Sequence, residues 1–398
     1  MTAVEFFDRA PIDNVISSLT TLPDKIIFIG DENSMNKSKE VYQKFIKRRN
    51  LAVKLEFRPI KNNVEDIIRV LSDVAEREQN CLFDLTGGAD LVLVAMGIVY
   101  ERYKHKNLQM QRFNVVDSVV TDCDNDGKIV YTGTPEISVE ELISLHGGAV
   151  RFGDKTQRWN MTPDFVADID RMWSICRRDP SAWNSQIAVL NALKTNHLDV
   201  SIDLSTVGKY ILDKGIKKVS IKDFVEKLEK NGLVVDLYQD DHFVTFSYKN
   251  EQIKECLTKA GMALELKVLT SAQKTDLYTD SMNGVYIDWD GDFHDREDVE
   301  KDTENEIDAV LMKGVTSVFI SCKNGGVEEI ELYKLQTVAE RFGGRYVKKA
   351  LIATNFGKRT RNLEHFKQRA EDMGIKLITS AHKLNEQDFG EMIKSLSF

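Results

Sequence analysis

Between Lys25 and Tyr103 short apolar runs alternate with longer amphipathic ones, and this alternation constrains the fold more than any other feature of the chain. "KIIFIG" (Lys25–Gly30), "AVKLEF" and "CLFDL" read as buried strands. The stretch from Lys37 to Arg49, "NNVEDIIRVLSDVAERE" and "ADLVLVAMGIVYERY" read as helices. Such βαβα order builds a parallel sheet with helices on both faces. "LQMQRFNVV" and "GKIVYTG", around "DNDG", read as further strands with a hairpin between them.

Doubly wound sheets bind ligands in the loops at the carboxyl ends of their strands. Two loops fit that position, "GDENSMNKS" (Gly30–Ser38) and "LTGGAD" (Leu85–Asp90). Gly87 and Gly88 allow backbone amides to approach a phosphate, and the helix that follows adds partial positive charge. A tight strand-to-helix turn capped by Thr86 is the plainer reading of the same residues. Neither loop carries the G-x-G-x-x-G dinucleotide fingerprint or a P-loop lysine.

The middle of the chain changes character. "QIAVLNALKTN" and "SIKDFVEKLEKNGLVV" read as helices, and "VVDLYQDDHFVTFSYKN" as a β-hairpin, an order that resembles a winged helix. Asp240 and Asp241 at the wing tip would repel phosphate, so a connector or dimerisation module is expected rather than a DNA reader. The expected division is 1–150, 151–255 and 256–398, and 398 residues are ample for two or three domains.

The five cysteines are scattered and form no C-x-x-C pair, which argues against a zinc site or a disulfide framework. No apolar stretch reaches the ~20 residues of a membrane span, and the N-terminus lacks a signal-peptide layout, so a cytoplasmic protein is expected. The net charge of −9 conceals a local split. Ser281–Val310 holds eleven Asp or Glu against two basic residues, and Arg341–Ala370 nine Lys or Arg against Glu364 alone. A metal-dependent enzyme acting on a polyanion needs such a split, with acids for cations and bases for phosphates; two solvated faces of opposite sign give the same pattern.

"NEIDAVLMKG" and "TSVFISCKNG" read as two antiparallel strands turning at Gly314, which brings Asp308 within reach of Lys323. An acid-bound Mg²⁺ or Mn²⁺ can activate water, and an adjacent lysine can stabilise the charge of a phosphorane. This arrangement resembles the PD-(D/E)xK nuclease superfamily. Asp308 matches its first acid, Lys323 its lysine, and Glu265, in "GMALELKVLTSA", its helical glutamate. Ser321 stands where the superfamily has an acid, so Glu306 is the nearby substitute, on the face of Asp308 while the strand stays regular. The resemblance further implies Glu265, Asp308 and the main-chain carbonyl of Cys322 as metal ligands, with Ser321 holding a metal-bound water.

"FIGDENSM" and "DLTGGAD" resemble a CARF domain, the CRISPR-associated Rossmann-like sensor of cyclic oligoadenylates. With "ELYKLQTVAERFGGRYVKKALI", the chain resembles CRISPR ancillary nucleases that join a CARF domain to a PD-(D/E)xK domain. The resemblance implies an α/β fold with a Rossmann-like CARF domain, a winged-helix-like connector and a restriction-endonuclease-like domain. It implies a homodimer enclosing one cyclic tetra-adenylate, touched by Ser34, Met35, Asn36, Thr86, Gly87 and Gly88, that switches on Mn²⁺- or Mg²⁺-dependent cleavage of DNA or RNA in type III CRISPR defence. A non-catalytic sensor whose C-terminal domain binds nucleic acid or protein is the alternative, motivated by Ser321. A small-molecule enzyme with a nucleotide cofactor is disfavoured by the missing fingerprint.

Other residues carry weaker signals. His294 in "DFHDRED" reads as a solvated histidine, and Trp159, Trp173, Trp183 and Trp289 as packing anchors. Lys358, Arg359 and Arg361, with Phe356 as a stacking ring, fit either a substrate-backbone contact or a solvated helix end.

Overall fold

A strand outside the Lys25–Tyr103 alternation lies in the middle of the N-terminal sheet of the computed structural model. It is β1 (Thr2–Phe6), whose Ala3 and Val4 are fully buried on opposite faces. Five residues with a polar Thr2 and Glu5 give no periodicity to read. Thr2 is satisfied by donating to Glu78 Oε2 at 2.7 Å. Residues 1–398 are described except 9, 116, 124–126, 134, 154, 194–196, 215–219, 292–303, 356–362 and 398. His294, Phe356, Lys358, Arg359 and Arg361 therefore lie outside the described residues.

The remaining strands of this sheet are β2 (Lys25–Gly30), β3 (Lys54–Pro59), β4 (Cys81–Asp84), β5 (Leu108–Asn114), β6 (Val119–Asp122) and β7 (Ile129–Thr132). Their order is β3-β2-β1-β4-β5-β6-β7, parallel as far as β5 and antiparallel after it. β6 pairs antiparallel with β7, and β6 itself is a strand the sequence reading did not separate. The helix after β2 spans Glu32–Arg48 and begins before Lys37, because Asp31 caps it by accepting from the Ser34 amide at 2.9 Å. Ser34, Met35 and Asn36 thus sit in its first turn and not in a loop.

The winged-helix-like module follows with β9 (Asp199–Asp203), β10 (Val234–Gln239) and β11 (Phe243–Tyr248), in the order β10-β11-β9, so the expected hairpin gains a third strand. Before it, β8 (Ala149–Val150) has already joined the C-terminal sheet by pairing with β12 (Asp280–Asp288). That sheet continues through β13 (Glu304–Lys313), β14 (Thr316–Lys323), β15 (Lys348–Ala353) and β16 (Ile375–Ile378), in the order β16-β15-β14-β13-β12-β8. Two helices, Glu251–Cys256 and Met262–Gln273, precede that sheet.

Apolar packing ties both other units to the C-terminal one. One core joins Phe28 and Tyr42 of the N-terminal unit to Phe319 and Phe342 beside the C-terminal sheet. A second joins Trp183 and Phe224 of the middle module to Leu264, Val318 and Phe389. Trp173 and Trp183 are buried there, Trp159 stacks on Phe165, and Trp289 meets Phe342 edge-on, so all four tryptophans pack. Lys267 is 1% exposed and lies 3.0 Å from Asp170 and 2.5 Å from Glu386, and it ties the helix Pro163–Cys176 to the C-terminal unit.

One irregularity sets up the site. The β12–β13 register passes from Asn283↔Ala309 to Val285↔Ile307, stepping over Gly284 and Asp308. Gly284 adopts φ 56°, and the strand changes face there: Ala309 belongs to one core and Ile307, two residues away, to the other. A Cβ at Gly284 would meet open space, so only the backbone demands glycine. Gly284→Val should therefore lower stability by about 1–2 kcal/mol, read as a lower denaturant midpoint; an unchanged midpoint would contradict the strained backbone.

Candidate active site

The β13–β14 ladder starts at Lys313↔Thr316, beside Gly314 at φ 61°, and ends at Ala309↔Ile320. Beyond that point β13 stays with β12 down to Glu304, and β14 stays with β15 up to Lys323. The carboxylate of Asp308 fills the opening. Its Oδ2 accepts from the Cys322 amide at 2.6 Å, the Ser321 hydroxyl at 3.1 Å and Lys323 Nζ at 3.4 Å. Asp308 and Lys323 thus meet, and Ser321, 6% exposed, donates to Asp308 directly.

Lys323 has a second anion. Nζ lies 3.0 Å from Oε2 of Glu331, in the first turn of the helix Ile330–Phe342. Burial opposes the ammonium charge, but Asp308 and Glu331 outweigh it and hold the pKa above the usual lysine range. Glu331 escaped the sequence reading because it is one of several glutamates in "GVEEIELYK". Only the phase of the helix, with Leu332 and Leu335 buried, selects it.

Glu265 stands in the first turn of the helix Met262–Gln273 and folds back over Gly261, where a Cβ would come within 2.7 Å of its Oε1. Burial, then the negative charges of Asp308 and Glu306, push its pKa up to about 8, and Lys323 offsets this in part. Glu306 lies opposite Tyr286 in the β12–β13 ladder and hydrogen-bonds its phenol. Burial and Glu306 raise that phenol to about 12. The structure therefore gathers Glu265, Glu306, Asp308, Ser321 and Lys323 and adds Tyr286 and Glu331. Cys322 turns its thiol into the core, leaving its main chain to the site. Among the described residues, no three His, Cys, Asp or Glu side chains stand at metal-binding spacing.

The middle module braces this site. Asn324, next to Lys323, donates to Asn184 Oδ1 at 2.7 Å, and the Asn184 amide returns a hydrogen bond to the Asn324 carbonyl. Trp183 Nε1 donates to the Ala260 carbonyl at 3.1 Å, just ahead of the Glu265 helix.

At the N-terminal sheet a cavity of about 500 Å³ opens at the carboxyl ends of β1 and β2. Phe6, Asp8, Asp31, Ser34, Gly88 and Val92 are among its walls, which brings Ser34 and Gly88 together from the two expected loops. The contribution of β1 through Asp8 was not expected. Gly88 has φ 131°, and its amide donates to Asp8 Oδ2 at 3.1 Å. Gly87 packs with Asp8 and Asp13 each 3.3 Å from the place of a Cβ. Thr86 does not cap the helix, since its hydroxyl accepts from the Phe113 amide at 3.0 Å. Met35 is 3% exposed and belongs to the core, while Asn36 is exposed on the helix.

No family model matches the chain, and no curated protein sequence does. Solved structures do. Protein VC1899 from Vibrio cholerae superposes with a TM-score of 0.74 at 17% identity, covering 99% of this chain and 97% of its own. Can2 from Sulfobacillus thermosulfidooxidans, solved in complex with cyclic tetra-adenylate, gives 0.66 at 15% identity, covering 100% and 99%. A type III CRISPR defence DNA nuclease activated by cyclic oligoadenylate gives 0.50 at 13% identity; 89% of this chain matches 45% of that one. From end to end, this chain has the fold of VC1899 and Can2.

Proposed function

We propose that the chain is a metal-dependent nuclease of type III CRISPR defence, activated by cyclic tetra-adenylate bound at its N-terminal sheet. The observation that carries this reading is the convergence of Glu265, Glu306, Asp308 and Lys323 where β13 and β14 part. The shared fold with Can2, solved with that messenger, supports the sensor half.

The acids suit a divalent cation by chemistry. Carboxylate oxygens are the ligands of Mg²⁺ and Mn²⁺, and Asp308 and Glu306, which after burial are the causes that push Glu265 up to about 8, are negative charge that such an ion relieves. Glu265, Asp308 and the Cys322 carbonyl would hold it, with Glu306 alongside. The bound ion would supply a Lewis acid and an activated water. Lys323, kept protonated by Asp308 and Glu331, stabilises the charge that builds on phosphate and does not act as a base. Ser321 positions Asp308 in place of supplying a ligand.

In the sensor, the helix Asp90–Tyr103 exposes Leu91, Leu93 and Val94 beside the pocket wall formed by Val92. That apolar strip supports pairing with a second copy, whose two-fold axis suits a symmetric ring. The pockets of both copies would then face one ligand.

The direct test is cleavage of plasmid DNA and of RNA with Mn²⁺, with and without cyclic tetra-adenylate. Cleavage should require both additions, and Lys323→Ala should abolish it with messenger affinity unchanged. A protein that binds messenger yet cleaves nothing under any of these conditions would favour the non-catalytic sensor.

Two further outcomes follow from the geometry. Without divalent cations the folded chain keeps a proton on Glu265 that the unfolded chain releases above its ordinary pKa of 4.5, so Glu265 erodes stability as pH rises to about 8. Glu265→Gln cannot ionise, and its stability relative to wild type should grow across that range in denaturant titrations; a constant difference would contradict the burial of Glu265. At the sensor, a side chain on Gly88 would meet Leu93 at 3.2 Å and fill the turn. Gly88→Leu should weaken messenger binding by about tenfold or more by calorimetry, and wild-type affinity in the folded variant would remove this turn from the site.

A further inference from the structure

A second cavity, of about 760 Å³, separates the sensor from the nuclease domain. Its walls include Lys37, His146, Arg341 and Arg345, with Asp8 and Glu340 as the carboxylates. Asp8 also lines the sensor pocket, so the two cavities adjoin there.

His146 marks this cavity as built for a ligand. The residue is 9% exposed, and its Nδ1 contacts the Leu142 carbonyl at 2.8 Å, which places the ring proton there. Nε2 is left as a buried acceptor with no hydrogen-bond partner in the protein. Burial pushes the ring down to about 4, so it is neutral and accepts a donor. Gly344, at φ 73°, lies against Nε2, and a Cβ there would come within 3.5 Å of it. A buried acceptor of this kind costs stability until a hydroxyl or amino group reaches it.

The charges point the same way. Cyclic tetra-adenylate carries a negative charge on each phosphodiester and a hydroxyl on each ribose. Among the described residues, the sensor pocket offers Asp8 and Asp31 but no lysine or arginine. The adjoining cavity offers three cations. Arg345 already reaches toward the sensor, with one guanidinium nitrogen 3.5 Å from Asp13 Oδ2, and the Tyr346 hydroxyl donates to Asp13 Oδ1 at 3.3 Å.

We propose that this cavity is the phosphate-binding half of the messenger site, with Lys37, Arg341 and Arg345 pairing with phosphodiesters and His146 Nε2 accepting a ribose hydroxyl. The inference rests on the messenger reading above. Because Arg341 and Arg345 belong to the nuclease side, the messenger would bridge the two domains. That bridge gives the ligand a contact that differs between domain arrangements, which activation requires.

Calorimetry with cyclic tetra-adenylate on wild type, Lys37→Gln, Arg341→Gln and the double variant tests this. Each single change should weaken binding about tenfold, and Arg341→Lys should recover part of the loss. The double variant should bind more weakly than either single variant and should stay below the wild-type cleavage rate even at saturating messenger, because the bridging contacts are lost. Wild-type affinity in both folded single variants would overturn the inference and leave the messenger reading intact. A wild-type protein that binds no cyclic tetra-adenylate would overturn both.

Discussion

The site depends on one carboxylate that takes the place of a missing stretch of β-ladder. Past Ala309↔Ile320 the two central strands part, and the Cys322 amide would lose its partner there. Asp308 accepts that amide together with Ser321 and Lys323. Backbone satisfaction and active-site assembly are thus the same set of hydrogen bonds. A cation competing for Asp308 would have to share it with these donors, and the charges of Asp308 and Glu306 both act on Glu265.

Both neighbouring units hold on to the elements around this strand split. Asn184 and Trp183 of the winged-helix-like module hold the residues just after Lys323 and just before the Glu265 helix. On the other side, the core containing Phe319 and Phe342 runs on into the N-terminal unit as far as Phe28 and Tyr42. Movement of the N-terminal unit would reach β14 through packed side chains, which switch between discrete arrangements and do not deform smoothly.

Much of this was legible in the sequence because it rests on local pattern. The alternation from Lys25 to Tyr103, the hairpin at Gly314 and the spacing of Asp308 from Lys323 all survive in the structure. What escaped depends on tertiary context. β1 is too short to show a period, and Asp31 started its helix early by capping Ser34. Met35 followed the helix phase into the core. Glu306 reaches Glu265 because the strand turns over at Gly284 and Asp308, and regular alternation carries no trace of that turn. Tyr286 and Asp8 come from distant segments, so only the folded chain brings them to the two sites, and Glu331 is singled out from its neighbouring glutamates only by the phase of its helix.

In the proposed mechanism these carboxylates form a cation site held by Asp308. Manganese titration followed by electron paramagnetic resonance tests it without any need for turnover. Wild-type protein should remove Mn²⁺ from the free-ion signal at one site per chain, Asp308→Ala should lose that site, and Ser321→Ala should keep it in weakened form. Equal Mn²⁺ uptake by wild type and Asp308→Ala, or none by wild type, would contradict the account.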